Sequence, residues 1–141
     1  MKHFLAIVCA VMAVSLFAQE TTEAGYTNIL VRNKDPISEL WGYVNLEGAP
    51  VINSLYEWIG SFEEDLAPFT VQGKWGFVNR EGVEVVPAHY DQVHYFSEGL
   101  ALVSYNNKMG FIDKNGNEVI PLIYNYVPEA FGAKGQNDPF S

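Results

Sequence analysis

Apolar and polar positions in the middle of the chain follow a two-residue rhythm broken at regular points. Trp75, Phe77 and Asn79 alternate with Gly76 and Val78, which predicts a β-strand carrying its aromatics on one face. The next four residues, Asn79-Arg80-Glu81-Gly82, put Asn first and Gly last, suiting a type I turn closed by a residue with positive φ. Val83 to Val86 is then the returning strand, with Pro87 predicted to end it because proline has no N–H for the ladder. Tyr90-Asp91-Gln92-Val93 lacks alternation and predicts a turn or a short helical stretch. Glu98-Gly99 reverses the chain into the apolar run Leu100 to Ser104, and Asn106-Asn107-Lys108 closes a second hairpin, with Gln72-Gly73-Lys74 as its counterpart.

The whole pattern recurs. Trp41-Gly42-Tyr43-Val44-Asn45 returns as Trp75-Gly76-Phe77-Val78-Asn79 and again as Met109-Gly110-Phe111-Ile112-Asp113, 34 residues apart both times. In phase behind each come Gly48, Gly82 and Gly116, then Val51-Ile52, Val85-Val86 and Val119-Ile120, then Tyr56, Tyr90 and Tyr124. Phe62-Glu63-Glu64-Asp65-Leu66-Ala67 answers Phe96-Ser97-Glu98-Gly99-Leu100-Ala101, with Asp65, which tolerates positive φ, in the place of Gly99. The fold class is therefore all-β: a tandem antiparallel β-repeat array of 34-residue units, arranged as an open solenoid or a barrel-like sheet. One unit has too little core to stand alone, so neighbours must stack. The array reads as a partial unit 26–40, units 41–74 and 75–108, and a partial unit 109–131. Residues 26–34 resemble the closing strand of a unit whose beginning is missing and are assigned as the N-terminal cap. Residues 19–25 are a short leader, and the stretch from Gly132 to Ser141 reads as a flexible polar tail.

The first residues follow a different pattern. Met1-Lys2-His3 precedes an uncharged apolar run from Phe4 to Phe17, with Ala18 at a cleavage position. The run is shorter than the ~20 residues of a membrane span and predicts a signal peptide, 1–18, cleaved near Ala18. Cys9, the one cysteine, leaves with it; Val8 before it does not suit a lipoprotein signal. The mature chain is then secreted, periplasmic or on the cell surface, with no stable membrane insertion, and is held by its core without disulfides.

Composition narrows the partners. A formal net charge of −9 argues against nucleic acid, which requires a basic face, and against adsorption to anionic lipid.

Lys74 to Val103, KWGFVNREGVEVVPAHYDQVHYFSEGLALV, resembles the WG repeat family, whose hallmark runs Lys-Trp-Gly-Phe-Ile-Asp, a turn, Glu-Val-Ile-Pro, Tyr-Asp, and Phe-Ser-Glu-Gly-Leu-Ala. The resemblance covers roughly residues 26–131. Met109 for Trp, Asn53 for Pro, Asp65 for Gly and Ala130 in the Phe slot depart from it. What the resemblance implies is a bacterial β-repeat protein, often secreted, with a binding or scaffolding role; it supplies no catalytic residues to carry over.

The residues that could carry chemistry are few. His89 and His94 would need a third and fourth ligand for zinc or copper, which could come only from carboxylates such as Asp91 or Glu98. Glu63, Glu64 and Asp65 could serve glycoside hydrolysis or hold Ca²⁺, but they fall at a turn that recurs in the next unit. No serine lies in a nucleophile elbow. The in-phase aromatics Trp41, Trp75, Tyr56, Tyr90 and Tyr124 are assigned to the core. Trp58 and Tyr126 share a repeat position held in the middle unit by Gln92, and are assigned to an exposed surface because that position alternates in chemistry. The chain is accordingly expected to be a non-enzymatic protein-interaction or scaffolding module without metal or cofactor. Its candidate partner surface is Trp58, Gln92, Tyr126 and the loop Glu63, Glu64, Asp65. A carbohydrate- or cell-wall-binding module using repeat aromatics is the alternative. The partner and the oligomeric state stay open.

Overall fold

Eleven β-strands alternate with tight turns in a computed structural model that describes residues 29–132; the expected signal peptide and leader, residues 26–28 of the expected cap and the expected tail beyond Gly132 lie outside the described residues. β1 (Val31–Lys34), β2 (Trp41–Val44) and β3 (Pro50–Tyr56) make a first antiparallel sheet in chain order. β4 (Trp58–Ile59), β5 (Leu66–Val71), β6 (Lys74–Asn79) and β7 (Glu84–Tyr90) make a second. β8 (Gln92–Val93), β9 (Leu100–Tyr105), β10 (Lys108–Asp113) and β11 (Glu118–Asn125) make a third, followed by a short 3-10 turn at Pro128–Phe131. No barrel closes among the described residues: the all-β fold expected from the repeat is an open set of separate sheets. Each four-stranded sheet begins two residues after the repeat tyrosine, so the Trp-Gly strand is third in its sheet.

Turn chemistry sets the connections. Asn79 and Gly82 close the β6–β7 hairpin as expected: Gly82 has φ 84°, its N–H donates to the Asn79 carbonyl at 3.0 Å, and Asn79 N–H donates to Val83 O at 2.9 Å. The Asn79 side-chain oxygen also accepts from the N–H groups of Glu81 (3.1 Å) and Val83 (2.9 Å), which is why Asn or Asp opens this turn in all three copies. The β5–β6 and β9–β10 hairpins have two-residue loops with both residues left-handed, Gln72-Gly73 and Asn106-Asn107, the geometry that matches strand twist. Glu64-Asp65 and Glu98-Gly99 turn the same way.

Two expectations are corrected. Pro87 does not end its strand: β7 continues to Tyr90. Trp75 pairs with Tyr90 and Phe77 with Val86, so the three residues 75–77 of β6 face the five residues 86–90 of β7. Proline is tolerated there because β7 is an edge strand and is bulged; Pro121 sits likewise within β11. Nor is Tyr90-Asp91-Gln92-Val93 a turn or helix. Tyr90 ends β7, Asp91 bends, and Gln92-Val93 pairs with Ser104 and Val103. Full burial of Val93 and the bonds Asp91 N–H to Ser104 O and His94 N–H to Leu102 O, both 2.8 Å, hold that stretch extended.

The sheets pack face to face. One core, between the first and second sheets, joins Tyr43, Ile52 and Tyr56 to Ile59, Ala67, Phe69 and Val78. The other, between the second and third, joins Leu66, Phe77, Val86 and Tyr90 to Val93, Phe96, Ala101, Val103 and Ile112. Alternation along β6 sends Phe77 to one core and Val78 to the other. Bonds between equivalent positions of successive units show that the sheets follow one another in the same orientation: Ser61 N–H donates to the Tyr95 hydroxyl at 3.3 Å, and the Tyr126 hydroxyl donates to Gln92 Oε1 at 2.9 Å, each pair 34 residues apart. At the N-terminal side, β1 pairs with β2 antiparallel as β5 does with β6.

Burial pushes the Tyr43 and Tyr56 hydroxyls up to about 12. Tyr43 donates to Gly60 O at 2.6 Å and Tyr56 to Glu84 Oε1 at 3.2 Å, across the interface between the first two sheets. A folded-state pKa above the ordinary 10.0 means that folding favours the neutral phenol. Its contribution is complete below pH 10 and is lost as the pH rises through about 12. Thermal melts followed by circular dichroism should therefore show Tm falling across that window, in step with appearance of tyrosinate absorbance; a Tm that stays level to pH 12 would contradict the assignment.

Candidate functional site

The position shared by Trp58, Gln92 and Tyr126 forms a row along one side of the stack. All three are half-buried rather than exposed, which corrects the surface assignment of Trp58 and Tyr126. Trp58 packs edge-on against Trp75 with ring centroids 5.4 Å apart. Tyr126 lies against Phe131 at 5.6 Å and bonds Gln92. The change from Trp to Gln to Tyr is thus partly explained by contacts between successive units, invisible to a reading that treats each unit alone.

Glu63, Glu64 and Asp65 form a second row, at the turn before β5, and all three are exposed. Two of them serve the fold. Glu64 Oε2 accepts the Gly99 N–H at 2.9 Å, tying one turn to the equivalent turn of the next unit. Asp65 Oδ1 accepts from Arg80 Nε at 2.9 Å. The structure therefore places the two candidate sets in separate rows rather than in one patch.

Among the described residues, both histidines are engaged by an aromatic ring. His89 stacks on Tyr105 at 4.3 Å; His94 stacks on Phe131 at 5.7 Å and its Nε2 lies 2.9 Å from Ala130 O. Asp91 binds the Lys74 ammonium and accepts the Asn106 N–H at 2.9 Å. The Lys74 bond, ahead of the others, holds the Asp91 carboxyl below its usual range. Glu57, one repeat earlier, accepts the N–H groups of Gln72 and Gly73, so this carboxylate belongs to the turn. Among the described residues no group of three or more His, Cys, Asp and Glu side chains gathers as a metal site would.

The feature that sequence reasoning missed is the outer face of the third sheet. Tyr56 and Tyr90 are 3% and 8% exposed, whereas Tyr124 at the same repeat position is 55% exposed. Tyr43 and Phe77 are buried where Phe111 is half-buried, and Ile52 and Val86 are buried where Ile120 is half-buried. Leu102, Met109, Phe111, Ile120 and Tyr124 line a shallow apolar groove of about 240 Å³ on this face. In the first two units the same positions are covered by the next sheet; among the described residues, no sheet follows the third. The signal was in the repeat: a core position whose partner lies in the next sheet is uncovered where no described sheet follows.

A series of like-oriented antiparallel sheets, each lending one face to the next, defines a β-repeat protein. A family model for the WG containing repeat matches residues 41–75, 75–108 and 109–135, and the chain belongs to that family. No curated protein and no solved structure matches it.

Proposed function

We propose that this chain is an exported, non-catalytic protein-interaction module that receives a partner's β-sheet on the outer face of its third sheet. One observation carries the reading: Tyr124 is 55% exposed where Tyr56 and Tyr90 are 3% and 8% exposed. A contiguous apolar face of this kind marks an interaction surface. The occupant's chemistry follows from the interface already made within the chain. Leu66, Phe77, Val86 and Tyr90 receive Val93, Phe96, Ala101, Val103 and Ile112, with Phe96 against Phe77, so the equivalent face of the third sheet suits a sheet presenting small and branched aliphatic side chains and one aromatic ring. A second copy fits poorly head to tail. In pairing register, β1 offers Asn33 opposite Gly42, where β5 and β9 offer Phe69 and Val103 opposite Gly76 and Gly110. Export rests on the apolar run Phe4 to Phe17 behind Lys2.

The test is a photo-crosslinking residue in place of Tyr124, with the chain incubated in the exported fraction and the adduct identified by mass spectrometry. The reading expects one protein partner, joined through a β-sheet and lost on Phe111→Asp but kept on Glu64→Gln. A homodimer adduct, or capture indifferent to Phe111→Asp, would overturn it. So would binding to peptidoglycan that Trp58→Ala abolishes, which is the outcome the carbohydrate alternative requires.

A further inference from the structure

The chain has two arginines, Arg32 and Arg80, and the fold brings both to one groove of about 480 Å³ at the N-terminal end of the stack, with Tyr43, Ser61 and Phe62. Arg32 leaves β1 and Arg80 leaves the turn between β6 and β7, so the groove exists only when the first two sheets are packed. Each guanidinium is held by an aromatic face. Arg32 lies 5.7 Å from the Trp41 ring centre and donates through Nη1 to Ile59 O at 3.2 Å. Arg80 lies 4.8 Å from the Phe62 ring centre and donates through Nε to Asp65 Oδ1 at 2.9 Å.

That arrangement concentrates positive charge in an acidic protein. Among the described residues no carboxylate lies within ion-pair distance of Arg32, and Asp65 engages one edge of Arg80. Lys34 and Lys74, by contrast, are each paired with an acid. Both arginines act on the Tyr43 hydroxyl between them: their fields oppose the larger effect of burial. Stacking a guanidinium on a ring immobilises it while leaving N–H edges free to meet a carboxylate in its own plane.

We infer that the Arg32–Arg80 groove binds a carboxylate, presented by an acidic peptide segment of a partner. A peptide suits the groove better than a sugar acid. The Phe62 face on which a sugar ring would stack is covered by Arg80, and the Tyr43 hydroxyl is already committed to Gly60 O. The flanking residues Leu30 and Val31 offer aliphatic contact to residues beside the acid. This site lies at the opposite end of the stack from the open face of the third sheet, and neither needs the other.

The experiment is calorimetric titration of the purified chain at low salt with two short synthetic peptides, one carrying Glu-Glu between aliphatic residues and the other Gln-Gln in the same frame. The Glu peptide should bind, weaken as salt rises, and lose about tenfold or more in affinity on Arg32→Gln, in line with a charged hydrogen bond. Arg32→Lys, which keeps the charge and loses the fork, should retain only part of that. Circular dichroism should be unchanged, since Arg32 is exposed. Equal affinity for both peptides, or for parent and an Arg32→Gln, Arg80→Gln double variant, would overturn the assignment, as would binding of a uronate oligomer in preference to the Glu peptide. Phe111→Asp should leave the titration unchanged, so this result and the test of the open face can fail separately.

Discussion

Gly76→Ala should destabilise the chain by ~3 kcal/mol, the upper end of the usual cost of overpacking, enough to remove a large part of a typical domain's stability. A Cβ built on Gly76 would sit 2.4 Å from the Val86 carbonyl oxygen, 2.7 Å from Phe69 Cζ and 2.8 Å from Ala88 N. Two of those three atoms are backbone, held by the pairing of β6 with β7, so no rotamer change relieves the contact. The cause is the bulge that opposes three residues of β6 to five of β7 and swings the Val86 carbonyl over the glycine. A Cβ on Gly42 would sit 2.3 Å from Ile52 O and one on Gly110 2.4 Å from Ile120 O, so the same device is built three times. Chemical denaturation followed by circular dichroism measures the effect. A Gly76→Ala chain with the parent's midpoint would show that close approach of the bulged strand does not govern this position.

Truncating Phe77 should cost ~3–5 kcal/mol, as deleting a fully buried aromatic does. The same change at Phe111, its counterpart one repeat later, should cost far less. Phe77 is fully buried and stacks edge-on against Phe96 at 4.7 Å, in the core between the second and third sheets. Phe111 is half-buried and faces the groove beside Tyr124. Denaturation of the two alanine variants beside the parent gives the comparison directly. Equal losses would mean that the outer face of the third sheet is covered in solution as the second sheet's is, and would remove the observation on which the interaction reading rests.

Much of the fold was legible because turns and strands are local. The Asn79-to-Gly82 pattern demands one residue with positive φ and a side-chain acceptor for the N–H groups ahead, and both are written within five residues. Pro87 and the stretch from Tyr90 to Val93 were misjudged for the converse reason. Whether a proline can sit in a strand depends on whether that strand is at an edge and bulged, and the extended form of Gln92-Val93 depends on Ser104 and Val103, twelve and ten residues on. The candidate site was less legible still. Trp58 and Tyr126 vary between copies and so looked free for recognition, but Trp75, Phe131 and Gln92 occupy them. Arg32 and Arg80 share no repeat position, so nothing in the period links them.

The sequence by itself determined the repeat, its phase, the strands and turns within each unit, and the aromatic and aliphatic positions that need cover. Those follow from backbone geometry and alternation, which act over a few residues. Only the tertiary structure decided which copies of those positions are covered. It left Tyr124 open where Tyr56 and Tyr90 are closed, and it gathered the two arginines at the other end of the stack. The physical reason is that burial and charge proximity belong to the packing of one sheet on the next, so identical local patterns become core in the middle of the stack and surface at its end.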